Sequence, residues 1–258
     1  MSVLQALLLG LIQGLTEFLP ISSSGHIEIG KALLGIKYQE DLTFTIVVHG
    51  ATVLSTLVYF RKDIIRLITQ GIRIPFTEET KYITYLAISM VPVGIVGLFF
   101  KDELESVALG NVPLVGGMLL ITAFLLLLTR YLGREGKPLN LPRAFVIGVS
   151  QAVAVMPGIS RSGSTIATAL MLGISKEEAT RFSFLMVLVP ILGANVKSIM
   201  DGEFGGNTSA VPLMVGFVAA FASGLIACHW MIRIVRQGKL TWFAIYCLVA
   251  GTAAILFG

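Results

Sequence analysis

Charged residues are scarce in this sequence. They account for 13% of its 258 residues, whereas an average soluble protein has about 25%. Hydrophobic residues account for 55%, and the mean hydropathy is +0.86. A water-soluble domain of this length needs a surface much richer in charge, because charged side chains are almost always exposed on such a surface. The shortage of charge therefore argues against a soluble protein and predicts an integral membrane protein.

Cysteine is also rare: the chain has only Cys228 and Cys247, and both lie in apolar stretches. This usage argues against a disulfide framework or a cysteine metal site, and it predicts small buried or lipid-facing residues. The net charge of +4 is small, and the basic residues are concentrated in a few short loops, as the positive-inside rule requires. The charge pattern predicts a membrane partner and no nucleic-acid partner.

Long apolar segments dominate the rest of the chain. A helix that crosses a bilayer needs about 20 mostly apolar residues. Two apolar stretches, 1–36 and 143–174, are interrupted by Ser-, Gly- and Pro-rich breaks, and each is predicted to form a re-entrant hairpin of two short helices. Six uninterrupted segments are long enough to cross the membrane, at residues 42–60, 82–100, 112–131, 178–199, 211–232 and 240–257.

The loops between these six segments alternate in charge. Basic residues follow the first, third and fifth segments, and acidic residues predominate after the second and fourth. The positive-inside rule then places the basic loops in the cytoplasm and both termini outside. In this topology the first hairpin enters the membrane from outside and the second from the cytoplasm, so their tips point towards each other.

The two halves of the chain are related by an offset of 138 residues, which aligns a series of identical residues without a gap from Gly10 to Phe44. Each half contains one hairpin and three spans, and this odd number of spans inverts the second half relative to the first. The predicted fold is all-α and integral to the membrane. It is a single domain, residues 1–258, with a first repeat at 1–136 and an inverted second repeat at 137–258.

Three ionisable residues, Glu17, His26 and Arg161, lie at or beside the breaks. Ionisable groups inside membrane segments are energetically costly and usually functional. The offset aligns Glu17 with Val155 and His26 with Ser164, so these groups are not repeated. The two hairpins are therefore predicted to share a scaffold and to divide the chemistry between them. His49, in apolar surroundings, is expected to make a packing hydrogen bond.

Serine and glycine residues stand where the second helix of each hairpin begins. Serine hydroxyls can cap such a helix, and its free N–H groups and positive dipole end favour an anion. Arg161 adds a planar fork of donors that suits phosphate oxygens. The breaks therefore predict a diphosphate-binding site, although caps and close packing alone also explain the same residues, which are Ser22, Ser24, Gly25, Ser160, Ser162 and Gly163.

Glu17, Ser23 and His26 are the candidate reactive groups. A serine hydroxyl becomes a good nucleophile when a base takes its proton, and His26 lies three residues from Ser23, on the same face of a helical turn. Glu17 is suited to orient the imidazole, to act as a base or to bind a divalent cation. Gln13 lies one turn before Glu17, and its amide oxygen is a candidate second ligand for a hard cation.

Two segments carry a family resemblance. Residues 13–26, QGLTEFLPISSSGH, closely resemble the first signature of the bacitracin-resistance type undecaprenyl-diphosphatases, and residues 157–165, PGISRSGST, resemble the second. The length and hydrophobic profile also match over essentially the whole chain. This resemblance implies hydrolysis of undecaprenyl diphosphate to the monophosphate lipid carrier and inorganic phosphate, which recycles the carrier for peptidoglycan synthesis and gives bacitracin resistance.

The resemblance also implies roles for individual residues. The motif of Glu or Gln, three residues and Glu falls on Gln13 and Glu17, and it implies a dependence on Mg²⁺ or Ca²⁺. The serine, histidine and arginine of the family fall on Ser23, His26 and Arg161. Family members have the active site on the extracytoplasmic side of the bacterial cell membrane. The nucleophile stays open among Ser23, His26 and a water molecule.

A transporter or flippase of polyprenyl phosphate is the main alternative, because transporters also use inverted repeats with broken helices. A transporter needs donors for an anion, but it does not need a Ser/His/Glu cluster on only one hairpin. The polar residues therefore favour the phosphatase. The sequence leaves a homodimer open.

Overall fold

The computed structural model describes residues 1–36, 42–71, 77–108, 110–132, 136–200 and 209–257. These residues form thirteen helices and no strand, which confirms the all-α class for the described part of the chain. The helices are α1 (Val3–Phe18), α2 (Ser23–Leu33), α3 (Leu42–Tyr59), α4 (Arg61–Gly71), α5 (Glu78–Phe99), α6 (Lys101–Ala108), α7 (Val112–Leu132), α8 (Leu141–Val153), α9 (Arg161–Met171), α10 (Lys176–Met186), α11 (Leu188–Met200), α12 (Ala210–Arg236) and α13 (Leu240–Phe257).

Five helical segments are long and apolar enough to cross a membrane: α5, α7, α10 with α11, α12 and α13. Helix α3 makes a sixth if it is counted together with α4, which follows it after a bend of 72°. Large apolar side chains point outward from these segments; Phe124 and Val249, for example, are 60% and 66% exposed. This distribution suits contact with lipid and confirms a multi-pass membrane protein.

One predicted span differs from the expectation. The segment 178–199 is not a single regular helix, because α10 ends at Met186 and α11 begins at Leu188. Pro190 lies in the first turn of α11, where a missing N–H is tolerated. In a continuous helix that N–H would bond to the carbonyl of Met186, so the proline favours an interruption here.

The two broken stretches form short helices at the predicted places. In the first, α1 and α2 are separated by residues 19–22; in the second, α8 and α9 are separated by residues 154–160. Helix α1 packs most extensively against α12, α8 against α5, and α7 against α13. Glycine permits the close approach: a Cβ atom at Gly10 would lie 2.5 Å from the Gly216 carbonyl oxygen, and one at Gly148 would lie 2.3 Å from the Ser89 carbonyl oxygen.

Candidate active site at the helix breaks

Glu17 is the centre of a polar cluster at the first break. Its Oε2 atom accepts hydrogen bonds from the Ser23 hydroxyl and from the Gln13 amide, the latter at 3.0 Å. The Glu17 side chain is only 9% exposed. Ser23 is the first residue of α2 and Glu17 lies near the end of α1, so the change of direction at the break brings the hydroxyl back to the carboxylate.

His49 lies beside the same carboxylate, although it belongs to α3. Its Nε2 atom is 4.0 Å from Glu17 Oε2, and its Nδ1 atom is 2.9 Å from the Thr45 carbonyl oxygen. The contact with Thr45 is the packing hydrogen bond expected from the sequence. The proximity to Glu17 was not predicted, because no local pattern connects a residue on α3 with one on α1.

The second break lies directly against the first. The Ser162 hydroxyl donates a hydrogen bond of 3.1 Å to the Leu19 carbonyl oxygen. A Cβ atom at Gly25 would lie 3.2 Å from the Cα of Gly158, a tight contact that glycine avoids where the two segments meet. Arg161, the first residue of α9, lines one narrow cavity together with Glu17. The structure therefore brings the predicted acidic and basic groups into one site.

The serines at both breaks cap their helices. Ser22 Oγ accepts from the Gly25 N–H at 3.3 Å, and Ser160 Oγ accepts from the Gly163 N–H at 3.0 Å. The next serines, Ser24 and Ser162, have hydroxyls 3.3 Å from the respective capping hydroxyl. These contacts confirm the capping role for Ser22 and Ser160 and not for Ser24 and Ser162, and a contact of the four serines with substrate stays a prediction.

Ser22 has an unusual backbone. Its φ angle is +69°, in a region that non-glycine residues rarely adopt. Such a conformation costs on the order of 1–3 kcal/mol and is typically held by its surroundings at functional sites. Here the cap to Gly25 and the contact of the Ser22 carbonyl oxygen with His26 Nδ1, at 2.8 Å, hold it in place.

His26 makes its ring contacts with groups other than the Ser23 hydroxyl. Its Nε2 atom is 2.7 Å from the hydroxyl of Tyr246 on α13, and the two rings stack with centroids 5.5 Å apart. The structure thus pairs Ser23 with Glu17, whereas the sequence suggested His26 as the partner. Tyr246 was not singled out from the sequence, because 220 residues separate it from His26.

The residues around Glu17 fit a divalent cation as a small set of oxygen donors. No group of three or more His, Cys, Asp and Glu side chains suited to a metal occurs among the described residues. However, Gln13 is fully buried, and its Oε1 atom has no hydrogen-bond partner in the described part of the chain. A hard cation such as Mg²⁺ commonly binds one or two carboxylates together with substrate phosphates, so Glu17 and Gln13 Oε1 are suitable protein ligands.

Comparison with known proteins shows the family to which the chain belongs. The family described as bacitracin resistance protein BacA matches residues 6–253. An undecaprenyl-diphosphatase from Christiangramia forsetii is 52% identical over 260 residues, which covers 100% of this chain and 98% of the relative. One from Bacteroides thetaiotaomicron is 51% identical over 99% of both chains, and undecaprenyl-diphosphatase 1 from Bacillus cereus is 42% identical over 99% of this chain and 97% of the relative. The chain therefore belongs to the bacitracin resistance protein BacA family.

Proposed function

We propose that this protein hydrolyses undecaprenyl diphosphate to undecaprenyl phosphate and inorganic phosphate. The observation that carries this proposal is the Glu17 carboxylate, which accepts a hydrogen bond from the Ser23 hydroxyl and shares a buried cavity with Arg161. Its relatives are named for the same reaction. The activity recycles the lipid carrier for cell-wall synthesis and gives bacitracin resistance.

Arg161 and the two capped helices bind the diphosphate. Arg161 begins α9, so its guanidinium and the N–H groups of that helix end can act on the same anion. The start of α2 lies against this site through the contacts between the two breaks. A buried site with few competing waters strengthens these charge-assisted hydrogen bonds.

Ser23 is the proposed nucleophile and Glu17 the proposed base. As Ser23 Oγ bonds to the terminal phosphorus, its proton passes to the Glu17 carboxylate, and the bond from that phosphorus to the bridging oxygen breaks. Undecaprenyl phosphate leaves with the electron pair of that bond. Water then cleaves the phosphoserine and releases inorganic phosphate. The geometry favours Ser23 because its hydroxyl already donates to Glu17, whereas both His26 nitrogens contact other groups.

A divalent cation, Mg²⁺ or Ca²⁺, completes the proposed site. Glu17 and Gln13 would hold it, since the carboxylate has a second oxygen and Gln13 Oε1 has no other partner among the described residues. When bound, the cation supplies charge neutralisation for the phosphoryl oxygens.

We also infer that the protein is built from two inverted repeats with re-entrant hairpins, and that the site opens to the extracytoplasmic side of the cell membrane. Helix packing supports the repeat. The offset of 138 residues relates α1 to α8, and the principal partners of these helices, α12 and α5, occupy corresponding places in the two halves. The names of the relatives do not favour a lipid transporter.

Phosphate release from undecaprenyl diphosphate by detergent-purified protein tests the proposal. The wild type should release phosphate in the presence of Mg²⁺ or Ca²⁺, and this release should stop when the cation is chelated. Glu17→Gln should lose at least ~10³-fold in kcat, because it removes the base and a cation ligand together. Arg161→Lys keeps the charge but loses the planar fork, so kcat/KM should fall by about 10- to 100-fold.

Ser23→Ala decides the nucleophile. If Ser23→Ala abolishes both hydrolysis and the phosphoserine that can be trapped in the wild type, Ser23 is the nucleophile. Substantial residual hydrolysis in this variant would instead assign that role to water or to His26. Each variant must have the same melting temperature and gel-filtration profile as the wild type, so that a loss of activity does not reflect misfolding. A well-folded wild type that binds undecaprenyl phosphate but releases no phosphate from the diphosphate, with cation present, would reject the enzyme.

A further inference from the structure

Ser183 on α10 has a buried hydroxyl that the proposed reaction does not yet use. The residue is 3% exposed, and its Oγ atom has no hydrogen-bond partner among the described residues. Ser183 also lines the narrow cavity that contains Glu17 and Arg161. It therefore brings a further structural element to that site, beside α1, α3 and α9.

Several other buried hydroxyls in the described chain are satisfied within their own helix. Thr180, on the same helix, donates to the Lys176 carbonyl oxygen at 2.7 Å, and Ser223 donates to the Ala219 carbonyl oxygen at 2.6 Å. Bonding to the carbonyl four residues earlier is the usual solution for a serine or threonine inside a helix. Ser183 does not make this bond, so its donor is available for a group that enters the cavity.

The position of Ser183 beside a helix interruption favours a ligand-binding role. Val187 and Leu188, where α10 ends and α11 begins, line the same cavity one turn further along the chain. The N–H of Val187 bonds to the Leu185 carbonyl oxygen and not in the regular helical pattern. Rotation about χ1 moves a serine hydroxyl between three staggered positions, so Ser183 can turn towards a ligand without a change in the backbone.

We propose that the Ser183 hydroxyl binds substrate by donating a hydrogen bond to a phosphoryl oxygen of the diphosphate held between Glu17 and Arg161. This inference rests on the proposed function, because it assigns the ligand of the same cavity. A phosphoryl oxygen is the fitting partner, since the hydroxyl would otherwise stay unpaired and a charged acceptor makes the stronger hydrogen bond. Substrate binding therefore satisfies a donor that has no partner within the described part of the free protein.

Ser183→Ala tests the inference in the full-length protein, with Ser164→Ala as the matched control. Ser164 on α9 is also buried with an unpartnered hydroxyl in the described chain, but it does not line the cavity. Ser183→Ala should lower kcat/KM for undecaprenyl diphosphate by about 10- to 100-fold, the effect of one hydrogen bond to a charged group. The Kd for inorganic pyrophosphate, measured without turnover, should rise by a similar factor.

The ligand-free melting temperature separates binding from a structural role. Removal of an unpaired buried hydroxyl should leave the melting temperature of both variants unchanged or higher, while only Ser183→Ala loses affinity. The inference would be overturned if Ser183→Ala kept the wild-type kcat/KM and the wild-type Kd for pyrophosphate. It would also be overturned if the variant lost activity together with a lower melting temperature. If wild type releases no phosphate, the proposed function fails, and the pyrophosphate affinities still decide the role of Ser183.

Discussion

His26 is held between two oxygen atoms from different parts of the chain. The Ser22 carbonyl oxygen can only accept a hydrogen bond, so His26 Nδ1 carries a hydrogen. In the neutral ring Nε2 is then the acceptor, and it accepts a hydrogen bond from the Tyr246 hydroxyl. The Ser22 carbonyl oxygen thereby selects the tautomer, and Tyr246 stabilises it and orients the imidazole that supports the strained backbone at Ser22.

Tyr246→Phe tests this positioning role. The substitution keeps the ring that stacks on His26 and removes only the hydroxyl. We expect kcat to fall about 10-fold with little change in KM, because one neutral hydrogen bond that orients the site is lost. The protein has three histidines, so ¹⁵N spectra of histidine-labelled protein should also show a changed tautomer mixture for one ring.

Tyr131→Phe is the control for this experiment, because Tyr131 is 77% exposed at the end of α7. Equal kcat values and identical histidine spectra for wild type and Tyr246→Phe would show that the hydroxyl has no such role.

Gln13→Glu tests the cation ligands with a measurement that does not depend on catalysis. The change places a second carboxylate beside Glu17 in a buried site, where like charges repel and are poorly solvated. In chelator the variant should therefore melt below the wild type. Mg²⁺ should raise its melting temperature more than that of the wild type, because a cation that binds the folded state stabilises it.

Glu17→Gln provides the opposite comparison, since it should lose most of the stabilisation by Mg²⁺. The assignment of Gln13 and Glu17 as ligands would be wrong if all three proteins responded equally to Mg²⁺.

At the scale of elements, small residues determine how closely the helices approach. Gly116 on α7 faces Gly251 on α13, and a Cβ atom at Gly116 would lie 2.6 Å from the Gly251 carbonyl oxygen. The adjacent Gly117 has no atom within 4 Å of the corresponding position. Helix α7 also supports the site, because the Thr122 hydroxyl accepts from the Ser160 N–H at 2.9 Å. The α7–α13 contact thus affects both stability and the second break.

Gly116→Ala and Gly117→Ala form a matched pair that tests this contact. Gly116→Ala should destabilise the protein by about 1–3 kcal/mol, because the backbone of α13 must move away. Gly117→Ala should be neutral or stabilising by up to about 1 kcal/mol, because alanine favours the helix. Chemical denaturation in detergent measures both changes, and similar values for the two variants would contradict the close packing.

At the scale of the whole molecule, the inferred topology predicts which loops face the cytoplasm. In this topology Lys137 lies in a cytoplasmic basic loop and Ser209, just before α12, lies on the opposite side; both residues are exposed. A membrane-impermeant maleimide should label Ser209→Cys in intact cells, and it should label Lys137→Cys only after the membrane is opened. The native Cys228 and Cys247 are buried and should give little background. The reverse labelling pattern would place the candidate site on the cytoplasmic side.

The sequence alone was sufficient for the class of protein and for the positions of the helix breaks. The shortage of charge and the long apolar segments reflect the lipid that surrounds the protein, because a helix that crosses the bilayer must be mostly apolar along its length. Gly, Pro and Ser interrupt helices through local backbone effects, so the breaks before Ser23 and Arg161 could also be predicted. The motif at Gln13 and Glu17 lies on one helical face and needed no tertiary information.

Only the tertiary structure decided how the site is assembled. The direction of the chain after the first break brings the Ser23 hydroxyl within hydrogen-bond distance of Glu17, while His26 on the same helix contacts Tyr246 on α13. His49 and Ser183 reach the site through the packing of α3 and α10 around α1 and α9. Sequence periodicity indicates which face of a helix is apolar, but not which distant helix it contacts, because that choice depends on close packing among all the helices.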